Sequence, residues 1–576
     1  MRPTLCFVLV VALIGCGDVE ESAAPEAPWQ APADADEVDW ARAHYLGAEA
    51  CAACHEKRWH EFSRTGHFNT LRLPDDDIDL LALADAPSVL LTRNPDLQFV
   101  MTRDATGVHQ RAELVGADGV IERVSARVDL IMGSGKIFEG YLHWEGDALF
   151  QLPVGKMSGV EGFSNCPGYR DGEARFDRAI LPRCLECHAT WVESRPGEGG
   201  NHYDPDSLIL GISCERCHGP GSEHVAWHEA QPRDPIGRRI VRPSELDRER
   251  RLDICAQCHG DPGVLLGQAF SFRPGTDLAD HVEQTSEAGA RGFVHTANQI
   301  QKLRDSACFQ GSDKLECLTC HSPHRQERER LSDKARQACL RCHEREACGE
   351  QAELIASVRD DCAACHMPRH QVIDTTFSTA DADHLDLVRM TDHRIGIYPA
   401  ATLRRKLHAL SSDAPELREM TAQLVTAIRQ QAEADQAHGR WIPALAAWRE
   451  IERLTGRSDA LLTKIAACLE GQAAHERSEA RYELAAAASA RGAPDEAIAL
   501  LEDSVAGNPH HAGSWHALAV LRSERGPPDR ALAALDGAVE AGAGTAEIFA
   551  LRGALRLQAG QLEGAESDLR KALEQG

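Results

Sequence analysis

The chain has 576 residues, of which 43% are hydrophobic and 5% aromatic, and it carries a formal net charge of -27. A chain of this length is expected to form about three to four domains, and the hydrophobic content excludes a disordered protein. The acidic charge excludes a nucleic-acid-binding role, because that role needs a basic surface.

Residues 1–15 have the pattern of a bacterial lipoprotein signal. Arg2 precedes an apolar run at 5–14 that is too short to span a bilayer. The run ends in the letters LIGC, which resemble a lipobox, so we expect cleavage before Cys16 and a lipid on that residue. An ordinary secretory signal is the alternative. Residues 16–40 are acidic and rich in Pro and Ala, which predicts an extended tether.

Two cysteines three positions apart are followed at once by histidine at seven places, which we number motifs 1 to 7 in chain order. This pattern is the attachment signal of c-type haem, in which two thioether bonds hold the porphyrin and the adjacent histidine binds the iron. Zinc ribbons and thioredoxin-like sites also pair cysteines, but neither needs the histidine every time. We therefore predict seven covalent haem c groups and, because such haems are attached outside the cytoplasm, a periplasmic or cell-surface protein. The predicted attachment residues are Cys51, Cys54, Cys184, Cys187, Cys214, Cys217, Cys255, Cys258, Cys317, Cys320, Cys339, Cys342, Cys362 and Cys365, and the predicted proximal ligands are His55, His188, His218, His259, His321, His343 and His366.

The stretch between motifs 1 and 2 carries strand signals. Apolar residues alternate with polar ones from 124 to 130, which predicts a half-buried strand. Asp118-Gly119 between two apolar runs predicts a hairpin, and Glu145-Gly146-Asp147 predicts a second one. We therefore expect a small antiparallel β-insertion at about 90–165.

The second axial ligand of each iron is predicted to be histidine, because the chain has 27 histidines and only 7 methionines. Iron with two histidine ligands is closed to substrate and passes electrons. Four histidines are the first candidates for this distal position, and three others come next, with a surface position as the alternative for each. The first candidates are His67, His224, His324 and His393, and the next are His143, His202 and His295.

The composition changes to Ala, Leu, Glu and Arg at about residue 410, and a repeat follows. Gly492, Gly526 and Gly560 are spaced by 34 residues, and alanines and leucines keep the same spacing. This period resembles the tetratricopeptide repeat, with three repeats at 478–576 and a diverged one near 425–458. Such repeats stack into a superhelix whose concave face binds partner proteins. A generic helical bundle is the alternative.

Residues 44 to 396 resemble the multihaem cytochrome c superfamily, which includes nitrifier tetrahaem cytochromes, hydroxylamine oxidoreductase and the pentahaem nitrite reductases. The resemblance is carried by YLG before motif 1, CHGPG at motif 3, CHSPH at motif 5 and CHMP at motif 7. It implies stacked haem pairs, and it implies that His224 and His324 each bind the iron of a different motif. No Cys-x-x-Cys-Lys occurs and only seven motifs are present, so the chain departs from the catalytic members.

The predicted fold is mostly α. A haem-packed, loop-rich cytochrome domain at 41–400 contains the small antiparallel β-insertion, and an α-solenoid of tetratricopeptide repeats follows at 410–576. The predicted function is electron transfer, with a redox protein docked on the repeats. One alternative is an oxidoreductase acting on a small nitrogen or sulfur compound at one open haem, and the other is a haem-stapled scaffold. Outside the motifs, Cys308 and Cys348 could form a disulfide or leave a free thiol near a haem, and Cys166 and Cys468 have no assigned partner.

Overall fold

The computed structural model describes residues 44–575, with gaps at 75–87, 93, 118, 160–161, 167–168, 170–173, 198, 261–262, 284–297, 327–330, 351, 358–360, 372–377, 380–381, 384–388 and 411–413. The predicted signal, the lipid site at Cys16, the tether and His295 therefore lie outside the described residues. Within the described part, no helix has both the length and the apolar content needed to cross a membrane.

The strands are concentrated between motif 1 and motif 3. They are β1 (Leu71–Arg72), β2 (Ser88–Leu91), β3 (Leu97–Asp104), β4 (Gly107–Gly116), β5 (Gly119–Arg127), β6 (Leu130–Met132), β7 (Phe138–Glu145), β8 (Ala148–Met157), β9 (Ser164–Asn165), β10 (Arg178–Ala179), β11 (Ala189–Trp191), β12 (Ser194–Arg195), β13 (His202–Tyr203), β14 (Ile209–Leu210), β15 (Val264–Leu265), β16 (Val282–Glu283), β17 (Arg369–Gln371), β18 (Ser378–Thr379), β19 (Ala382–Asp383) and β20 (Arg389–Thr391).

Both predicted hairpins are confirmed. A four-stranded antiparallel sheet has the order β2-β3-β4-β5, and its β4–β5 hairpin turns beside Gly119. A larger sheet has the order β1-β6-β7-β8-β13-β12, with β9 and β10 paired to β8, and its β7–β8 hairpin pairs Glu145 with Ala148. Strands from beyond residue 165 join this sheet, because two-residue segments can pair with β8 without any alternation that a sequence would reveal.

The two sheets pack on each other through one apolar core. Phe99 and Met101 of β3 meet Tyr141 of β7 and Leu152 and Val154 of β8 there. These side chains alternate along their strands with residues on the other face, as a two-layer packing requires. The two β-layers thus share one core.

The rest of the described chain is mainly helical. The helices are α1 (Ala48–Phe62), α2 (Pro182–Glu186), α3 (Glu215–His218), α4 (Ser222–Ala230), α5 (Arg248–His259), α6 (Gln299–Arg304), α7 (Ala307–Gln310), α8 (Cys317–Cys320), α9 (Leu331–Cys339), α10 (Ala352–Ser357), α11 (Ala363–His366), α12 (Pro399–Ala409), α13 (Leu417–Ala437), α14 (Trp441–Thr455), α15 (Asp459–Ala490), α16 (Pro494–Gly507), α17 (Ala512–Arg525), α18 (Pro528–Glu540), α19 (Ala546–Gln558) and α20 (Leu562–Gln575). About half of the chain is helical, and its sheets are antiparallel.

The 34-residue period corresponds to helix pairs. The second half of α15 pairs with α16, α17 with α18, and α19 with α20, while α13 and α14 form an earlier pair. Gly492 and Gly560 lie at the turns inside two pairs with φ of 75° and 74°, a backbone conformation that favours glycine. Ala497 and Ala531 are buried where helices cross, because a small side chain lets the backbones approach.

Candidate haem-binding site

One large cavity runs through the region of the motifs. Its volume is about 4640 Å³, and all fourteen motif cysteines and all seven motif histidines line it. A pocket for one small molecule measures only about 300–1,000 Å³, so this cavity has room for several large groups. Seven porphyrins mounted on its walls would fill space that this chain, with few aromatic residues, does not fill itself.

Most motifs form a single turn of helix. Motifs 3, 5 and 7 fall on α3, α8 and α11, and motif 4 ends α5. A backbone bond from the histidine N–H to the carbonyl of the first cysteine closes the turn, at 3.0 Å in motifs 3, 6 and 7 and 2.9 Å in motif 5. Because residues three apart share one face of a helix, both thiols point the same way and can reach one porphyrin.

Three of the predicted proximal imidazoles are oriented by a hydrogen bond at Nδ1. This atom lies 3.0 Å from the Val241 carbonyl in His218, and 2.8 Å from the Gly396 carbonyl in His366. In His188 it lies 2.8 Å from the Thr70 hydroxyl. A hydrogen bond at Nδ1 leaves Nε2 as the metal-binding atom. Burial also lowers the pKa of His188 and His218, which favours the neutral imidazole that binds metal.

Each of the four first distal candidates faces a proximal histidine across the cavity. The ring centres are 6.3 Å apart for His55–His224, 6.1 Å for His321–His393, and 6.0 Å for His67–His259 and for His218–His324. Two imidazole nitrogens that share a metal at about 2 Å each have ring centres about 6 Å apart. The spacing of all four pairs therefore fits one iron between the rings, so the residues present fit haem c.

The facing histidine always follows a different motif. His224 comes just after motif 3 and faces motif 1, and His324 comes just after motif 5 and faces motif 3. His67 follows motif 1 and faces motif 4, and His393 follows motif 7 and faces motif 5. Each pair thus joins distant parts of the chain.

The two described second-choice candidates lie away from the cavity. His143 is buried in β7, where its Nε2 lies 2.8 Å from the Phe176 carbonyl. His202 of β13 places Nδ1 2.8 Å from an Asp147 carboxylate oxygen. Both imidazoles therefore make hydrogen bonds within the β-layers, and neither lines the cavity that contains the motifs.

Contacts between thiols give the order of the motifs along the cavity. The thiol pairs that lie side by side are Cys51 with Cys214, Cys187 with Cys258, Cys255 with Cys317, and Cys339 with Cys362. Motif 1 is thus next to motif 3, motif 2 next to motif 4, motif 4 next to motif 5, and motif 6 next to motif 7. Cys217 also interacts electrostatically with Cys255, and Cys320 with Cys339. The order is therefore 1, 3, 4, 5, 6, 7, with motif 2 beside motif 4.

The cysteines outside the motifs are not bonded to each other in the described part of the chain. Cys308 and Cys348 both line the cavity as free thiols, while Cys166 and Cys468 are buried. Burial raises the pKa of the Cys166 thiol to about 12. Over the described ranges, no three His, Cys, Asp or Glu side chains group closely enough to hold a metal ion on their own.

Two kinds of site residue escaped sequence reasoning. Glu215, inside motif 3, is only 1% exposed and accepts backbone N–H bonds from Leu46, Gly47 and Gly221. It ties the segment before motif 1 to the segment after motif 3. His408 of α12 lines the cavity from the helical side. Ala401, Arg404, Arg405 and His408 are spaced i, i+3, i+4 and i+7, which indicates that they share one face of a helix. This spacing could have been recognised in the sequence, but the segment lies outside the seven motifs.

The chain matches three protein families over separate segments. Residues 169–219 match the family described as cytochrome c554 and c-prime, and residues 311–348 match the doubled CXXCH motif. Residues 488–555 match the tetratricopeptide repeat.

Two curated proteins are similar over longer stretches. The dissimilatory sulfite reductase MccA of Wolinella succinogenes is 21% identical over 389 residues, which are 56% of this chain and 50% of that protein. The multiheme cytochrome MtrA of Shewanella baltica is 25% identical over 202 residues, which are 34% of this chain and 55% of that protein. The chain thus spans about half the length of the curated relatives it matches.

Among solved structures, MamA aligns with 31% of this chain and 88% of its own, at 18% identity and a TM-score of 0.16. A tetratricopeptide-repeat protein of Thermus thermophilus aligns with 31% of this chain and 83% of its own, at 25% identity and a TM-score of 0.14. The family segments and the two curated relatives confirm the resemblance predicted from the sequence: the chain contains a cytochrome c554 segment, a doubled CXXCH segment and a tetratricopeptide segment, and it is similar to multihaem cytochromes.

Proposed function

We propose that this chain carries seven covalent haems outside the cytoplasm and transfers electrons along them to a protein docked on its repeats. The observation that carries the proposal is the single cavity lined by every motif, with four pairs of histidine rings at the spacing of shared axial ligands. When bound, each haem supplies an iron that gains and loses one electron. The attachment residues and the four distal assignments are part of this proposal.

The protein's own residues favour transfer over catalysis at four of the motifs. His224, His67, His324 and His393 would occupy the sixth position of the iron and keep small molecules out. Burial lowers the pKa of His67 and of His393 to about 4, so both remain neutral donors at ordinary pH. The linear order of motifs 1, 3, 4, 5, 6 and 7 supports a path from the N-terminal end of the cavity to the helical repeats.

The haem count and the spin states test this proposal. The mature chain should weigh its polypeptide plus seven haems, and each variant His224→Ala, His67→Ala, His324→Ala and His393→Ala should add one high-spin iron per chain to the electron paramagnetic resonance spectrum. His202→Ala is the matched control, because its ring lies in the β-layers. A chain of bare polypeptide mass, or four variants with the control's spectrum, would refute the proposal.

We further propose a lipid anchor at Cys16 and a docking role for the repeats. A tetratricopeptide segment supports protein binding, since such repeats build extended concave surfaces. Cross-linking of the intact protein in membranes should join a redox protein to Lys464 or Lys571 of the repeats. Cross-links confined to Lys57 in the cytochrome part would contradict this role. Mass analysis of the N-terminal peptide should find Cys16 acylated, and an unmodified Cys16 would contradict the anchor.

A second candidate function is chemistry on a small anion at motif 2. His188 is oriented by Thr70, and no histidine ring of the described residues faces it. Lys136 and Arg178 line the neighbouring wall and would attract a negatively charged nitrogen or sulfur compound. If motif 2 is open, the oxidised protein should bind one cyanide there, and a variant with Cys184→Ala and Cys187→Ala, which cannot attach that haem, should lose that binding. If no haem responds to cyanide, the catalytic candidate is contradicted and electron transfer is the function that is left. A scaffold would instead show haems that do not exchange electrons in a redox titration.

A further inference from the structure

Helix α12 separates the haem cavity from the helical repeats and contributes to both. Ala400, Leu403 and Leu407 pack against the apolar core of the first helix pair, α13 and α14. The opposite stripe, which includes Arg405 and His408, lines the cavity. The i, i+3, i+4, i+7 spacing places each stripe on one face of the helix. The helix that leads into the repeats therefore supplies part of the cavity wall.

This wall lies against motif 7 and the segment that joins it to motif 6. The Thr402 hydroxyl bonds the Cys365 thiol, and Lys406 Nζ lies 2.8 Å from a Glu350 carboxylate oxygen. Arg404 and Arg405 line the same wall, and Arg404 makes a 2.7 Å ion pair with Glu450 of α14. Guanidinium groups in this position suit the carboxylates that every haem carries on one edge.

When the histidines that line the cavity are assigned in turn, one unassigned donor is left beside motifs 6 and 7. Thirteen described histidines line the cavity; seven are proximal and four face them in pairs. The remaining two are His228 and His408. His228 stands beside His224, with ring centres 4.6 Å apart, and so belongs to the end of the cavity where motif 1 lies. His408 is on the wall beside motifs 6 and 7, whose proximal histidines face no histidine ring within the described ranges.

We propose that His408 is an axial ligand of one of the two haems carried by motifs 6 and 7. The assignment rests on the proposed function, because it assumes haems on those motifs. His366 already directs Nδ1 to the Gly396 carbonyl at 2.8 Å, which leaves its Nε2 for metal and calls for a second donor across the iron. The helix that packs on the first helix pair of the repeats then completes the haem array, and a partner docked on the repeats is held near its last haem.

The test uses the full-length holoprotein with His408→Ala, His408→Met and the control His516→Ala. His516 is a partly exposed histidine of the repeats that does not line the cavity. His408→Ala should keep seven haems by mass and gain one high-spin iron per chain, while His516→Ala should match the wild type. His408→Met should restore low spin and raise the potential of one haem, because methionine–histidine ligation raises it.

Failure of this inference is distinguishable from failure of the proposed function. Seven haems by mass with an unchanged spin count in His408→Ala would overturn the ligand assignment and leave the proposed function standing. A wild-type mass lacking the haems of motifs 6 and 7 would overturn both. If His408→Ala fails to accumulate, a His408→Met protein whose seven potentials equal those of the wild type overturns the assignment.

Discussion

Glu215 offers a direct test of how motifs 1 and 3 are held together. Its carboxylate is buried, and one oxygen accepts the N–H groups of Leu46 at 3.0 Å and Gly221 at 2.8 Å. The other oxygen accepts the N–H of Gly47 at 2.8 Å. Glu215→Gln keeps one oxygen for the first two donors but turns an amide N–H₂ toward Gly47. One charge-assisted hydrogen bond is then lost, and one buried donor is left opposite another donor.

The expected loss for Glu215→Gln is about 1.5–3 kcal/mol in the free energy of unfolding, the usual worth of one hydrogen bond to a charged group. Glu215→Ala would leave three buried N–H groups without acceptors at about 1–3 kcal/mol each, which is comparable to the whole stability of many domains. The glutamine variant is therefore the informative one, because it should still fold and keep its haems.

Denaturant unfolding of the holoprotein, followed by far-ultraviolet circular dichroism, measures this loss. Glu245→Gln is the matched control, since that carboxylate is 50% exposed and pairs only with Arg242. A surface pair of this kind contributes about 0–1 kcal/mol. Equal unfolding midpoints for Glu215→Gln and Glu245→Gln would refute the claim that Glu215 holds motifs 1 and 3 in register.

Three other changes have defined outcomes. Asp568→Ala should cost about 1.5–3 kcal/mol in thermal unfolding of the repeats, because it removes the buried carboxylate of a network and leaves Arg552 and Arg556 with Asp536 alone, whereas exposed Glu566→Ala should cost less than about 1 kcal/mol; equal effects would contradict the buried network. Iodoacetamide at pH 8 should label Cys348 but not Cys166, whose pKa of about 12 leaves about one thiolate in ten thousand; labelling of Cys166 would show that it is not buried. Burial lowers the pKa of His67 to about 4, below its unfolded value of 6.5, so its contribution to stability is present above pH 6.5 and is lost as the pH falls toward 4. An iron bound at Nε2 competes with the proton and lowers the apparent pKa further, so the low-spin optical bands should persist from about pH 7 to about pH 5, and their loss at about pH 6 would contradict His67 as a ligand.

The attachment sites were predictable because covalent chemistry needs contiguous residues. Two thioethers and one proximal ligand fit in five positions, so each motif is visible without a fold. The repeats were predictable for a similar reason, since Gly492 and Gly560 recur at one period and serve the same turn in each helix pair. The hairpins depended on local turn chemistry at Gly119 and Gly146, which a short window of sequence contains.

Long-range relations could not be predicted in this way. His224 could be chosen as a distal candidate, but nothing in its spacing indicated that its ring stands 6.3 Å from that of His55. Glu215 occupies a variable position between the two cysteines of motif 3, so the sequence assigned it no role. Only the fold brings the backbone N–H groups of Leu46 and Gly47 to its carboxylate. The two-residue strands β9, β10 and β13 could not be predicted because pairing to β8 creates them, and β12 exists only through its pairing to β13.

The histidine pairs also bear on the choice between an electron carrier and a scaffold. Because each facing histidine follows a different motif, an iron bound between the rings closes a loop of the chain, much as a disulfide does. His67 and His259, for example, would join segments on either side of the β-layers. The same residues would then close the iron to substrate and tie the cytochrome part together. A distal variant that changes spin state but keeps its unfolding midpoint therefore separates the two roles. If His67→Ala lowers the unfolding midpoint and leaves electron exchange between the other haems intact, the pair contributes mainly to stability. If electron exchange is interrupted while the unfolding midpoint is unchanged, the pair contributes mainly to the electron path between motifs 3 and 5.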